Sequence, residues 1–100
     1  MLDMDLPERN VQVTHDLWEW LARQGDKTPE AAGRLSADLG DIYAGAIHYQ
    51  RLIEALLGTS TVDRETLGEL LSDLYEEMRH LGAHLESSLD DVDALAERFD

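Results

Sequence analysis

The stretch that most constrains the fold runs from Thr28 to Gly58, and it predicts one long helix. Thr28 can cap the free amides at the helix start, Pro29 suits the first helical position, and Gly58 is typical of a helix end. Between them, apolar residues recur at alternating steps of three and four, the spacing of helices that pack side by side. They are Ala32, Leu35, Leu39, Ile42, Ala46, Tyr49, Ile53 and Leu56. We therefore expect a central helix over residues 29–57.

A second stripe on this helix has the same spacing and contains only small residues, Gly33, Ala37, Gly40 and Ala44. It lies roughly 160° around the helix from the first stripe, at about 100° per residue. A glycine inside a helix costs about 0.5 to 1 kcal/mol relative to alanine, and close approach of another backbone would compensate for that cost. We expect this small-residue stripe to form the interface of a two-fold homodimer. The alternative is an exposed face that tolerates glycine.

The sequence before the central helix predicts a shorter helix and no strand. Residues 1–12 are expected to be a loose lead-in, because Pro7 and Asn10 disfavour an early helix. Apolar spacing and a following glycine then predict a helix over residues 13–24. The expected fold is therefore all-α, a single domain of 100 residues.

The sequence after the central helix predicts a long C-terminal helix over residues 62–98. A kink or restart near residues 87–88 is the alternative to a continuous helix, since a serine there can cap a new start. The short turn before it predicts an antiparallel hairpin of two long helices, as in a helical bundle. The apolar seam of this helix is expected to pack against the central helix and comprises Leu67, Leu71, Leu74, Met78, Leu81, Leu85, Val92, Leu95 and Phe99.

The chain is strongly acidic, with 22 acidic and 8 basic residues and a formal net charge of −14. This charge disfavours binding to the phosphates of nucleic acids. The absence of cysteine excludes disulfides and thiolate metal sites. No hydrophobic run has the length of a signal peptide or of a membrane span, so we expect a cytoplasmic protein that does not contact a membrane.

The leading functional hypothesis is a non-enzymatic, homodimeric interaction module that presents an acidic surface to a protein partner, and a basic partner would suit it best. Asp90, Asp91 and Asp93 are the densest acids of the C-terminal helix. Trp18 lies off the main stripe of its helix and is a candidate contact for the partner. The alternatives are a purely solubilising role for the acids and an ordinary packing role for the tryptophan.

A second hypothesis is a metal site on the C-terminal helix, where Asp73, Glu77, His80 and His84 fall within an arc of about 60°. Glu77 and His80 have the Glu-x-x-His spacing of carboxylate-bridged di-iron bundles. In an antiparallel hairpin, Asp41 of the central helix would face His80 and His48 would face Asp73, so a cluster between the two helices is expected. The alternative is a solvated face on which acids and histidines form ordinary i, i+4 pairs. No organic cofactor and no catalytic nucleophile are predicted.

A third hypothesis is Mg²⁺-dependent nucleotide hydrolysis. Asp16-x-x-Glu19 is followed by Asp38-x-x-Asp41, and paired acids on adjacent helices can hold Mg²⁺ on phosphates. The pattern resembles the Glu-x-x-Glu and Glu-x-x-Asp pairs of the all-α nucleoside triphosphate pyrophosphohydrolases of the MazG kind. Asp16 and Asp38 stand where that pattern has glutamates, which shortens the reach of both ligands.

Overall fold

The computed structural model describes residues 6–25, 28–58 and 63–98. These ranges form three α-helices and contain no strand: α1 spans Leu6–Gln24, α2 spans Pro29–Leu57 and α3 spans Arg64–Glu97. The prediction of an all-α fold is confirmed. Among the described residues, no helix combines the length and the apolar character needed to cross a membrane.

α2 has the bounds that its local sequence signals predict. The side-chain oxygen of Thr28 accepts a hydrogen bond from the backbone N–H of Ala31 at 3.2 Å, and Pro29 occupies the first turn. At the other end, the backbone N–H of Gly58 donates to the carbonyl of Glu54 at 2.9 Å. Gly58 keeps a right-handed conformation with φ of −79°, so the helix ends there without the left-handed turn that glycine often supplies.

α1 begins at Leu6, so the prediction of a loose lead-in over residues 1–12 is wrong from Leu6 onward. The five residues before it lie outside the described part of the chain. Pro7 does not interrupt the helix because it lies in the first turn, where a backbone N–H would have no helical partner. Asn10 fits because its amide donates a hydrogen bond to Asp41 of α2 at 2.6 Å. This contact outweighs the low helix propensity of asparagine.

α3 begins after Asp63, whose carboxylate accepts a hydrogen bond from the backbone N–H of Thr66 at 2.7 Å. Asp63 therefore caps the free amides of the first turn. The predicted start at residue 62 and the predicted seam residue Phe99 lie outside the described residues.

α3 continues without a break through residues 87–88, where a kink or restart was the alternative. The hydroxyl of Ser88 donates to the backbone carbonyl of His84 at 2.8 Å, four residues earlier. This local bond satisfies the buried serine inside the helix, so it does not start a new one.

α2 is the central helix, and α1 and α3 pack on different faces of it. A Cβ added at Gly40 would meet Thr14 of α1, whereas a Cβ added at Gly45 would meet Leu81 of α3. The two glycines are five residues apart, which places them about 140° apart around α2. Near the start of α2 lies a small apolar core made of Leu21, Ala32 and Leu35, with Leu39 and Leu95 packed against it.

The small-residue stripe does not form the continuous dimer interface that the sequence predicted, because α1 of the same chain covers Gly40. The reason is that α1 has 19 residues and a length of about 28 Å, against about 18 Å for the predicted helix. Of the other stripe residues, Ala37 is exposed, Ala44 is half-buried, and a Cβ added at Gly33 would meet nothing within 4 Å.

α3 contacts α2 through a face that includes only part of its predicted apolar seam: Leu74, Leu81 and Leu95 are half-buried, with Leu81 against Gly45 and Leu95 against the small core. Glu77 and Ser88 of α3 are buried, and Glu77 lies against His48 of α2. Five seam residues are 40% to 55% exposed, and for them the predicted packing against α2 is wrong: Leu67, Leu71, Met78, Leu85 and Val92. Hydrogen bonds between carboxylates and histidines join the two helices in this rotation of α3.

Candidate metal centre

Three potential metal ligands, Asp41, His80 and His84, come together between α2 and α3, with one ligand atom of each within 4.8 Å of the others. The Nε2 atoms of His80 and His84 are 3.1 Å apart. The Nε2 atom of His84 is 3.3 Å from Oδ2 of Asp41. Ligand atoms about 2.05 Å from a shared ion are separated by about 2.9 Å at a right angle and about 3.4 Å at the tetrahedral angle. The two measured separations fall between these values.

Each of the two histidines also contacts a second carboxylate through Nδ1, the ring nitrogen that lies outside the cluster. Nδ1 of His80 is 3.0 Å from Oε2 of Glu77, and Nδ1 of His84 is 2.8 Å from Oδ1 of Asp38. Burial raises the pKa of Glu77, but the hydrogen bonds from His48 and His80 outweigh burial and hold that pKa below its usual value. Burial likewise raises the pKa of Asp38, and its hydrogen bonds from His84 and Ser87 more than compensate. Both groups are therefore carboxylates at neutral pH and can only accept.

These carboxylates decide which nitrogen of each histidine carries the hydrogen. A carboxylate cannot donate, so Nδ1 of each ring must be the N–H, and in a neutral imidazole Nε2 is then the lone-pair atom. When both rings are neutral, the lone-pair Nε2 atoms of His80 and His84 lie next to each other and to the carboxylate of Asp41. Three acceptors then converge, and a cation among them, either a metal ion or a proton on one imidazole, relieves their mutual repulsion.

The third ligand is also held by a hydrogen bond, in this case from α1. The amide of Asn10 donates to Oδ1 of Asp41 at 2.6 Å, and its own carbonyl oxygen accepts from the hydroxyl of Thr14 at 3.1 Å. This leaves Oδ2 of Asp41 directed at His84. On α3, the hydroxyl of Ser87 donates to Oδ2 of Asp38 at 2.8 Å. Such outer contacts orient ligands and raise their affinity for a metal.

Of the five predicted metal residues, the structure places four in or directly behind this cluster. Asp41, His80 and His84 supply the converging atoms, and Glu77 lies behind His80. Glu77 is only 9% exposed and also binds Nδ1 of His48 through Oε1, at 2.5 Å. Asp73 is exposed, one turn before Glu77, and does not belong to the cluster.

Two residues that shape the site, Asn10 and Asp38, were not predicted as part of this cluster, and His48, which was predicted to face Asp73, instead contacts Glu77. Asp38 and His48 share the three-four spacing of Asp41 and Gly45, so the sequence does contain a polar stripe that could have identified the face of α2 that α3 covers. No sequence signal links Asn10 to the site, because its contribution depends on how α1 crosses α2.

The two acidic pairs of the magnesium hypothesis are directed towards different histidines. Asp16 and Glu19 are exposed on α1 and lie with His15, at distances of 3.8 Å and 3.6 Å from its ring nitrogens. Asp38 and Asp41 instead contact His84 of α3. The described contacts therefore do not combine the pairs into one all-oxygen site.

The predicted partner surface is accessible at most of its positions. Trp18 is 42% exposed and borders, with Val11, an open apolar groove of about 440 Å³ between α1 and α2. Asp90 and Asp93 are exposed, whereas Asp91 is half-buried.

Comparison with known proteins finds no matching protein-family model, no matching curated protein and no matching solved structure. A three-helix fold does not in itself specify an activity. The chemistry of the cluster between α2 and α3 is therefore the basis for a functional proposal.

Proposed function

We propose that this protein binds a divalent transition-metal ion between α2 and α3, with Asp41, His80 and His84 as its ligands. The observation that supports this most directly is the convergence of two imidazole nitrogens and one carboxylate oxygen, with separations of 3.1 Å and 3.3 Å. Two nitrogens and one oxygen suit Zn²⁺, Fe²⁺ and related ions, whereas Mg²⁺ and Ca²⁺ prefer oxygen ligands alone.

The outer contacts support a metal site over an ordinary surface cluster. The non-ligating atom of every proposed ligand has a partner: Glu77 behind His80, Asp38 behind His84, and Asn10 behind Asp41. The ligands also come from two helices, so the bound ion would link α2 to α3. An ion that binds only the folded chain stabilises it by about 2.7 kcal/mol at a free concentration of 100 times Kd.

Isothermal titration calorimetry with Zn²⁺ and Co²⁺, combined with metal analysis, tests this proposal. We expect one ion per chain, and loss of binding in His84→Ala. Asp38→Asn keeps all three ligands but weakens the outer contact, and it should lower the affinity about 10- to 100-fold. His15→Ala is the comparison variant, because His15 belongs to the other group of possible ligands among the described residues, the exposed group of His15, Asp16 and Glu19 on α1. Absence of stoichiometric binding, or equal losses in His15→Ala and His84→Ala, would show that the proposal is wrong.

A second candidate function is self-association as a helical interaction module, and exposed surface favours it. The chain exposes 7286 Å², whereas a compact monomer of this mass exposes about 5,700 Å². The excess of about 1,600 Å² is larger than the roughly 800 Å² that each partner buries in a standard interface. The radius of gyration, 16.7 Å, also exceeds the value of about 13 Å for a compact domain of this length.

The surface proposed for this dimer is the exposed apolar seam of α3, in place of the small-residue stripe. Met78 lies in the middle of that seam, and His80 lies about 200° around α3 from it, so a second copy would leave the metal site accessible. The dimer would still present Asp90 and Asp93, both exposed, to a basic protein partner.

Sedimentation velocity tests the dimer. The wild type should be a dimer at micromolar concentration, and Met78→Glu should be a monomer, because it places a charge in the middle of the apolar contact. Ala83→Glu is the control, since it adds the same charge at an exposed position about 140° from Met78. A wild type that stays monomeric at high micromolar concentration would refute self-association.

A further inference from the structure

We infer that the metal ion keeps one coordination position open to a small exogenous ligand, which gives a lone pair to the metal and a hydrogen bond to His48. This inference rests on the proposed metal binding. It begins from an open cavity of about 270 Å³ beside the cluster. Two of the three proposed ligands, Asp41 and His80, line this cavity, together with Asn10, Glu77 and His48.

The number of protein ligands supports an open position. Zinc sites with four protein ligands are closed and structural, whereas sites with three leave a position for water or substrate. Here the cluster supplies three ligand atoms. Because Asp41 and His80 both line the cavity, a ligand that enters there reaches the metal without displacing a protein side chain.

The walls of the cavity select for a ligand that carries N–H or O–H groups. Nδ1 of His48 is bound to Oε1 of Glu77 at 2.5 Å, so in the neutral ring Nε2 is a lone-pair acceptor. One N–H of the Asn10 amide donates to Asp41, and the carbonyl oxygen of Asn10 accepts from Thr14. The cavity therefore offers mainly acceptors, which a hydrogen-bond donor can satisfy.

Charge narrows the class of ligand further. Asp38, Asp41 and Glu77 together carry three negative charges, one more than a divalent ion compensates. The chain as a whole has a net charge of −14. A multiply charged anion such as a phosphate is therefore disfavoured, and an uncharged ligand with both a lone pair and an N–H or O–H group is preferred.

Imidazole and N-methylimidazole are a matched pair of probes for this site. Both are uncharged and offer a similar lone pair, but only imidazole also has an N–H to donate. We expect imidazole to change the visible spectrum of the cobalt-loaded protein and to bind about 2- to 10-fold more tightly than N-methylimidazole, as one added hydrogen bond predicts. In His48→Ala the two probes should bind equally, whereas His15→Ala should keep the preference.

The possible outcomes separate the open coordination position, the contact with His48 and metal binding itself. A cobalt spectrum that responds to neither probe, or cobalt that is lost to imidazole on desalting, would overturn the open position while leaving metal binding intact. Equal binding of both probes to the wild type would overturn the contact with His48, and this comparison does not depend on the folding of a variant. A preference that survives in folded His48→Ala would do the same. Failure to bind cobalt at all would instead contradict the proposed function itself.

Discussion

Replacing Gly40 with alanine tests whether α1 of the same chain covers the small-residue stripe. A Cβ at Gly40 would clash with the hydroxyl of Thr14 and lie 2.9 Å from Oδ1 of Asn10. At Gly33, on the same stripe, an added Cβ would meet nothing within 4 Å. Gly33→Ala should therefore stabilise the protein by about 0.5 to 1 kcal/mol through helix propensity alone.

Gly40→Ala gains the same helix propensity but adds the cost of overpacking, about 1 to 3 kcal/mol. Because the propensity gain cancels between the two variants, Gly40→Ala should be less stable than Gly33→Ala by about 1 to 3 kcal/mol. For a domain of this size, 1 kcal/mol corresponds to a difference of about 4 to 8 °C in Tm. Urea unfolding followed by circular dichroism measures the difference directly.

Thr14→Ala provides the internal check, because it removes the hydroxyl that the new Cβ would meet. In a double-mutant cycle, Thr14→Ala should lower the free energy of unfolding less in the Gly40→Ala protein than in the wild type, with a coupling of about 0.5 to 3 kcal/mol. The difference in unfolding free energy between Gly40→Ala and Gly33→Ala should also be independent of protein concentration, since Gly40 and Thr14 belong to one chain. Equal stability of the two glycine variants, additive effects in the cycle, or a loss that appears only on dilution would refute the packing of α1 described here.

Two further predictions concern the helix cap of α3 and the core. The hydrogen bond from the backbone N–H of Thr66 lowers the pKa of Asp63 below its usual value of 3.8. The ionised Asp63 cap therefore stabilises the folded protein above pH 3.8, and this stabilisation is lost as the pH falls through the pKa of Asp63 in the folded state. Asp63→Asn keeps a cap but should remove this part of the acid dependence, measured as urea midpoints above and below pH 3.8. Leu35→Ala, at a fully buried position, should cost about 2 to 5 kcal/mol in urea unfolding, whereas Leu67→Ala, at a position 40% exposed, should cost clearly less. Equal costs would contradict the assigned core.

The bounds of α2 were predictable because their causes are local. Thr28 and Pro29 act on the first turn whatever the rest of the chain does, and Gly58 follows the last helical residue. The start of α1 was not predictable in this way. Asn10 disfavours a helix locally, and it is accommodated by a hydrogen bond to Asp41, which is 31 residues away in the sequence.

The rotation of α3 was not predictable from periodicity, because two stripes on that helix share a similar spacing. One contains Met78 and is apolar, and the other alternates polar residues such as Glu77 and His84 with leucines such as Leu81. Burial of apolar area favours the first against α2, and that choice was wrong for five residues. In the structure, the hydrogen bonds of Glu77 with His48 and of His84 with Asp38 join the second stripe to α2.

This rotation connects the metal site to the exposed seam. Glu77 and Met78 are adjacent, so their side chains point about 100° apart around α3. Turning α3 by that angle to bury Met78 against α2 would carry His84 away from Asp38 and Asp41, which it now contacts at 2.8 Å and 3.3 Å. One chain therefore cannot hold the cluster and bury Met78 against α2 at the same time. If the cluster binds a metal ion, that ion stabilises the rotation that leaves the seam exposed, so metal binding should strengthen self-association. Sedimentation with and without Zn²⁺ measures this coupling, and a dimer that Zn²⁺ dissociates would refute it.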